Sequence, residues 1–459
     1  MRTGRRHLGR CLTRIAATSL TVVVMSSGFA EASPGVTVDS ISTAATGSEP
    51  AQPVFSAPDM VTVNNKANAV AADVFNATTA AAEAAGAAWA PGRSASVAMD
   101  SLVRGDTVIQ QAPTGFHFTM GVTVLPLAAV GPLMGKNVAG VLAQGDIVMG
   151  ALTASLRGAN VGDVADIETR SGTAVPLTIG MIAPDALIGG TEILMAPPTA
   201  DTLGITVVSR LVVWGFSSRA ALDQALATTG VEPRDGVRVR RSWDAFDPDL
   251  TLGMAETKQA LGEFTYRLLS DGINLTLSPD WAATNLPANF QEFVAAIPVR
   301  ARCNNAIHDD LVAALTEVAQ AGLGSAIDIT NTNTYGGCFG PRLNRISGAL
   351  GFISRHTWAQ AIDMNTTQNA QGHVPRMNCD VVRIFRRHNF AWGGDFLTPD
   401  GMHFEWVGTR RDQYQYPSKY CPNLPPTGAT QTQASATPGA DAHMTRATMF
   451  AGDGFSAGD

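Results

Sequence analysis

Between residues 93 and 275 the chain repeats one pattern, a short run of β-branched and apolar residues followed by a glycine, proline or aspartate. "DTVIQQ", "DVADIET", "VPLTIGMI", "ITVVSRLVVWGF" and "GVRVRRSW" are long enough for strands and carry no helical period. Runs this short bury their apolar residues by pairing edge to edge, so a β-rich domain is expected here. "ALDQALATTG" is expected to be a helix within it. The uncharged stretch between His117 and Lys136 holds Pro126, Pro132 and three glycines and barely reaches membrane-spanning length. It is expected to form a buried strand–loop–strand. No cluster of acids, histidines or cysteines stands out in this domain, and its function is not legible.

The flanking segments differ in kind. Arg2, Arg5, Arg6, Arg10 and Arg14 precede the apolar run "IAATSLTVVVMSSGFA" and the small residues "AEA", so residues 1–32 have the form of an export signal. Residues 33–92 are rich in Ala, Thr, Ser and Val and are expected to be a spacer, in part helical. Residues 423–459 have the composition of a disordered tail. The formal net charge is −7; without the five Arg and one Glu of the first 32 residues, 27 basic and 38 acidic groups remain, net −11. That balance argues against nucleic acid as a partner, since such affinity rests on Lys and Arg neutralising phosphates. No stable membrane span is expected once the signal is removed.

Of five cysteines, Cys11 lies in the leader and the other four, Cys303, Cys338, Cys379 and Cys421, lie in the last third. In an exported chain an even, clustered set suggests two disulfides. Three pairings are possible, and the expectation carried forward is Cys303 with Cys338 and Cys379 with Cys421. The same region, 290–422, holds two amphipathic helices. "AIHDDLVAALTEVAQAGL" puts Ile307, Leu311, Leu315 and Val318 on one face, and "CDVVRIFRRHNF" offers Val381, Val382 and Phe385. "SAIDIT" between them is expected to be a strand.

Two phrases in this region carry chemistry. In "AIDMN" a period of two turns Asp363 and Asn365 to one face and Ile362 and Met364 to the other; in "MHFEW" His403 and Glu405 oppose Met402, Phe404 and Trp406. Two strands with apolar backs and polar fronts can converge on one ion, with His356 in the loop before the first strand completing the set. Two imidazoles and a carboxylate suit Zn2+ and leave a fourth position open. Asp400, three residues before His403, is the candidate general base. Glu405 is expected to orient a ligand or bond backbone amides, and His373 and His388 to be surface or loop residues.

The pattern Ser-x-His-x-x-x-x-x-x-Asp followed by Asp-x-x-His-Phe-Glu resembles the zinc D-Ala-D-Ala carboxypeptidase and L-alanyl-D-glutamate endopeptidase family of peptidoglycan peptidases. "TYGGCFGPR" at 334–342 and "FAWGGDF" at 390–396 add to the resemblance, which covers roughly residues 300–410. It implies an α+β catalytic domain with a small antiparallel sheet and flanking helices, preceded by the separate β-rich domain. It also implies His356, Asp363 and His403 as metal ligands, Asp400 as catalytic base, Arg342 as the group steadying a polarised carbonyl oxygen, and Ser354 in the substrate cleft. Peptidoglycan or its peptides would be the substrate, in a secreted or cell-wall-associated protein. "DGMHFE" resembles the endopeptidase branch more than the carboxypeptidase branch. The family has binding relatives too, so a non-catalytic wall-binding or signalling module is the second expectation. Ala359 stands where the family usually has glycine, and its methyl is expected to narrow the cleft.

Overall fold

The computed structural model describes residues 57–65, 68–169, 172–231, 236–289, 291–294, 296–328, 337–423 and 449–450. The expected export signal and the segment 334–336 lie outside these residues. Twelve strands form the first sheet: β1 (Met60–Asn65), β2 (Ala88–Arg104), β3 (Thr107–Gln111), β4 (His117–Val124), β5 (Ile147–Gly150) and β6 (Val164–Glu168), then β7 (Ala174–Ala183), β8 (Ile193–Met195), β9 (Arg210–Trp214), β10 (Val237–Arg241), β11 (Thr265–Leu268) and β12 (Leu275–Leu277).

One long strand organises this sheet. The first residues of β2 pair with β9, its middle with β4 and β6, and its end with β3. Because β2 pairs with both β6 and β4, the path β2-β6-β7-β5-β8-β4 closes on itself into a barrel. Closure removes exposed edges and lets inward residues of every strand fill one core. Met99, Met120, Val122, Ile147, Ile167 and Ile193 lie in that core. β10, β1 and β9 extend the sheet beyond the barrel, and the helices Ala72–Ala84 and Arg219–Thr228 contribute Val74, Ala81, Leu222 and Leu226 to the core beside them.

The strand runs expected between 93 and 275 and the helix at "ALDQALATTG" are present. Three expectations change. From residue 60 the supposed spacer is built into the fold, as β1, the helix Ala72–Ala84 and the start of β2. After β4 comes the helix Leu127–Met134, with Pro126 at its N-cap, in place of a second strand. Met449 and Phe450 of the supposed disordered tail are buried, with the Phe450 amide donating to the Gly189 carbonyl at 3.2 Å.

The C-terminal region has a hairpin, β13 (Gln291–Val294) and β14 (Ile297–Ala301), and a three-stranded antiparallel sheet in the order β15 (Ala361–Asp363), β17 (His403–Trp406), β16 (Phe390–Trp392). The helix His308–Gln320 buries Leu311, Ala314, Leu315 and Val318, and the helix Cys379–Arg387 buries Val381, Val382 and Phe385. Asn378 caps the second helix by accepting the amides of Asp380 and Val381. Where "SAIDIT" suggested a strand, Gly324–Ala326 form a 3-10 turn, and residues 329–330 lie outside the described residues. Disulfides join Cys303 to Cys338 and Cys379 to Cys421.

This region is not set apart from the sheet before it. The described residues all fall in one compact unit. Leu261, Phe264, Leu275 and Trp281 lie in the same core cluster as Leu311, Trp358, Phe385 and Phe404. Among the described residues, no helix is long and apolar enough to cross a membrane.

Candidate metal centre and active site

β15 and β17 pair Asp363 directly with His403, Ile362 with Phe404 and Ala361 with Glu405. The apolar back of this ladder packs into the core through Ile362 and Phe404, both fully buried, which fixes the register and hence the face that Asp363 and His403 present. His356 comes from the 3-10 turn Arg355–Trp358 just before β15. That turn closes because the Ser354 hydroxyl accepts the His356 amide at 3.1 Å, and because Ala359 adopts φ +53°. Glycine enters that left-handed region freely and alanine does not. The Ala359 methyl lies in the apolar core, so it does not narrow a cleft.

The three side chains meet. His356 Nε2 is 3.3 Å and His403 Nδ1 is 3.2 Å from Asp363 Oδ1, and the imidazole centroids are 5.2 Å apart. All three residues are buried. Burial alone would raise the Asp363 pKa; the two imidazoles outweigh it and hold the carboxyl well below the ordinary carboxylate range. The far ring nitrogens have partners as well. His356 Nδ1 is 2.9 Å from the Cys338 carbonyl, which accepts its proton, and His403 Nε2 is 3.5 Å from Glu405 Oε2. Such contacts orient an imidazole and select which nitrogen faces inward. The donor set, two imidazole nitrogens and a carboxylate oxygen within 4.8 Å of one another, fits zinc.

Around this set the chain builds supports. Glu405, fully buried, accepts from Gln360 Nε2 at 3.1 Å and lies 3.4 Å from Arg355 Nε. Arg355 is itself held by the Thr257 hydroxyl at 2.8 Å and the Leu252 carbonyl at 2.6 Å. Asp400 is buried in the turn entering β17; its amide donates to the Gly393 carbonyl at 2.8 Å and its carbonyl accepts the His403 amide at 3.1 Å. Gly393 leaves no room for more, since a Cβ there would lie 2.7 Å from the Asp400 carbonyl oxygen and 3.0 Å from His403 Cβ.

Arg342 is tied to the His356 turn through its backbone. Its amide donates to the Thr357 hydroxyl at 3.2 Å and its carbonyl accepts the Ser354 amide at 3.1 Å. Ser354 is fully buried, and the contact found for its hydroxyl is the cap on His356. Asn365, read as sharing a face with Asp363, lies past the end of β15 with φ +55° and accepts the Asp328 amide. His388 pairs with Glu317 at 2.6 Å and His373 is exposed; neither joins the metal set. The Cys338 carbonyl, Arg355 and Gln360 were not found from sequence. A backbone carbonyl has no residue signature, while "RHTWAQ" does place Arg355 and Gln360 beside a ligand.

A cavity of about 420 Å³ borders the turn before Asp400. Its wall includes Arg238, Arg240, Asp395, Phe396, Tyr416 and Lys419, and the Phe396 ring lies 5.8 Å from that of His403.

Residues 347–406 match the family model of D-alanyl-D-alanine carboxypeptidase. The matched segment contains His356, Asp363, Asp400, His403 and Glu405, and Arg342 falls just before it. No curated protein matches the chain. Among solved structures, the extracellular domain of the noncanonic ABC-type transporter YknZ from Gram-positive bacteria is similar over 39% of this chain and 99% of that one, at 9% identity and a TM-score of 0.26.

Proposed function

We propose that the chain is an exported zinc-dependent peptidase that hydrolyses peptide bonds in peptidoglycan stem peptides. The observation that carries this reading is the meeting of His356, Asp363 and His403 at one buried point, beside the Asp400 turn, inside the segment that matches a D-alanyl-D-alanine carboxypeptidase model. A zinc ion held there supplies Lewis-acid chemistry, acidifying water and polarising a carbonyl. Asp400 takes the proton of the attacking water and returns it to the leaving amine. Arg342 steadies the negative charge that develops on the carbonyl oxygen. Glu405 and the Cys338 carbonyl hold the two imidazoles in the tautomers that keep a bare nitrogen toward the ion. Ser354 acts through His356, whose turn it caps. Two disulfides and the arginine-led apolar N-terminus support an extracytoplasmic, oxidising location.

Mass spectrometry of peptidoglycan fragments, after incubation with the zinc-loaded protein, tests the reaction. Loss of one terminal D-Ala supports a carboxypeptidase, and cleavage after L-Ala supports an endopeptidase. No cleavage of stem peptides or cross-linked dimers overturns the peptidase reading in favour of a binding module.

A further inference from the structure

A second group of ligand-type side chains stands far from His356 in sequence, where spacing had shown none. Glu168 on β6, Asp100 on β2, His117 on β4 and Tyr266 on β11 form a row across four neighbouring strands. Their chain neighbours Met99, Phe118 and Ile167 pair with one another and lie in the barrel core, so alternation turns the row outward. At Asp100 the β2–β6 register slips between Met99 and Ser101. This bulge lets both Met99 and Leu102 stay in the core while Asp100 is aimed at its neighbours.

The geometry is close. His117 Nδ1 lies 2.6 Å from Asp100 Oδ1 and 3.5 Å from Glu168 Oε2, and the three ligand atoms fall within 4.8 Å of one another. The side chains are 32%, 22% and 26% exposed for Asp100, His117 and Glu168, so solvent or a further ligand can reach them. Charge does not balance within the group. Among the described residues, the ion pairs of both carboxylates are with His117, so even a protonated imidazole leaves one negative charge over. Tyr266 does not offset it. Burial and the two carboxylates raise its pKa, and its ring, 6.1 Å from that of His117, closes one side as a neutral phenol.

We propose that Asp100, His117 and Glu168 bind a divalent transition-metal ion on the outer face of the barrel, separate from the centre at His356. One imidazole and two carboxylates suit zinc or manganese. A divalent cation would cancel the excess charge and join β6, β2 and β4, with the exposed side open to water or an external carboxylate or phosphate group. The site stands on residues that the peptidase reading does not use.

Zinc content after dialysis, and calorimetric titration with Zn2+, test it on the full chain. His117→Ala and the near-isosteric Asp100→Asn are each expected to lower the zinc bound by one ion per chain. The His403→Ala chain is expected to keep one saturable Zn2+ site, which is lost when Asp100→Asn is added. Thermal melts check that each variant is folded. Zinc content unchanged in folded Asp100→Asn and His117→Ala, or no saturable binding to folded His403→Ala, overturns the barrel site and shows an ion-pair network only. Unchanged zinc in His403→Ala counts against the first centre instead, so the two readings fail separately.

Discussion

At the scale of single residues, the candidate centre assigns different work to its carboxylates. Asp363 is kept ionised by two imidazoles, as a ligand must be, whereas Asp400 lies in the neighbouring turn and is read as the base. Asp400→Asn is therefore expected to retain zinc while peptidase activity falls by roughly two to four orders of magnitude. Elemental analysis beside a peptide-release assay checks this, and full activity would remove Asp400 from the mechanism. His403→Ala is expected to lose the ion at this centre, as read by the same elemental analysis. A third carboxyl is set differently. Burial first, and then the neighbouring Asp249, push Asp395 up to about 7. The folded chain therefore holds a proton on Asp395 between pH ~4 and ~7 that the unfolded chain has released. Its contribution is fully present below the unfolded pKa and is lost as pH rises through the folded value. Asp395→Asn, permanently neutral, is expected to gain stability relative to the parent between pH 5 and pH 7.5, on the order of 2–4 kcal/mol. Urea unfolding at both pH values checks it; a parallel offset would show that Asp395 does not titrate there.

At the scale of elements, the site is a product of register and of two tight turns. The candidate ligand pair on β15 and β17 was legible because period-two alternation is strict in "AID" and "HFEW", and clustering pointed to two disulfides while leaving three pairings open. The start of β2 was not legible. "AWAPGRSASVAMDS" is made mainly of small residues with low strand preference, and it is held extended by pairing with β9, β4 and β6. The ties that hold β16 and the helix Cys379–Arg387 in place were illegible for another reason, since they come from distant elements. Asp249 accepts the Trp392 amide at 3.0 Å and Arg386 Nε at 2.9 Å, tying β16 and the helix Cys379–Arg387 to the segment after β10. Removing Asp249 leaves Arg386 only the more distant Asp395, 3.5 Å away, so Asp249→Ala should cost up to about 3–5 kcal/mol. Gly393→Ala tests the turn itself, because its Cβ would press on Asp400 and His403. It is expected to lower activity well beyond its effect on melting temperature, and equal, small losses in both would mean that the turn has slack.

At the scale of the whole molecule, the question is whether residues 290–423, which hold the candidate ligands of the His356 centre, the candidate base and both disulfides, can stand alone. Their core says not. Met254, Leu261, Phe264, Leu275, Trp281 and Leu286 precede this segment and are all buried in its cluster. Burying such side chains is worth roughly 1.5–3 kcal/mol each, so losing six removes on the order of 10 kcal/mol. A folded domain's whole margin is about 5–15 kcal/mol. Polar ties would go as well: Arg355 loses Leu252 and Thr257, and the strand-like bridge from Asn274 to Arg342 is cut. Contact is also tight at Gly351, where φ is +86° and a Cβ would come within 2.1 Å of the Ser96 carbonyl oxygen on β2. The isolated segment 290–423 is therefore expected to be unfolded or aggregated and inactive, while the full chain folds cooperatively. Circular dichroism with urea titration distinguishes them. A cooperative transition in the isolated segment, with zinc bound, would show that the barrel is a passenger. Its absence, together with a destabilised but folded Gly351→Ala in the longer chain, would show that the barrel is the wall against which the active-site region is built.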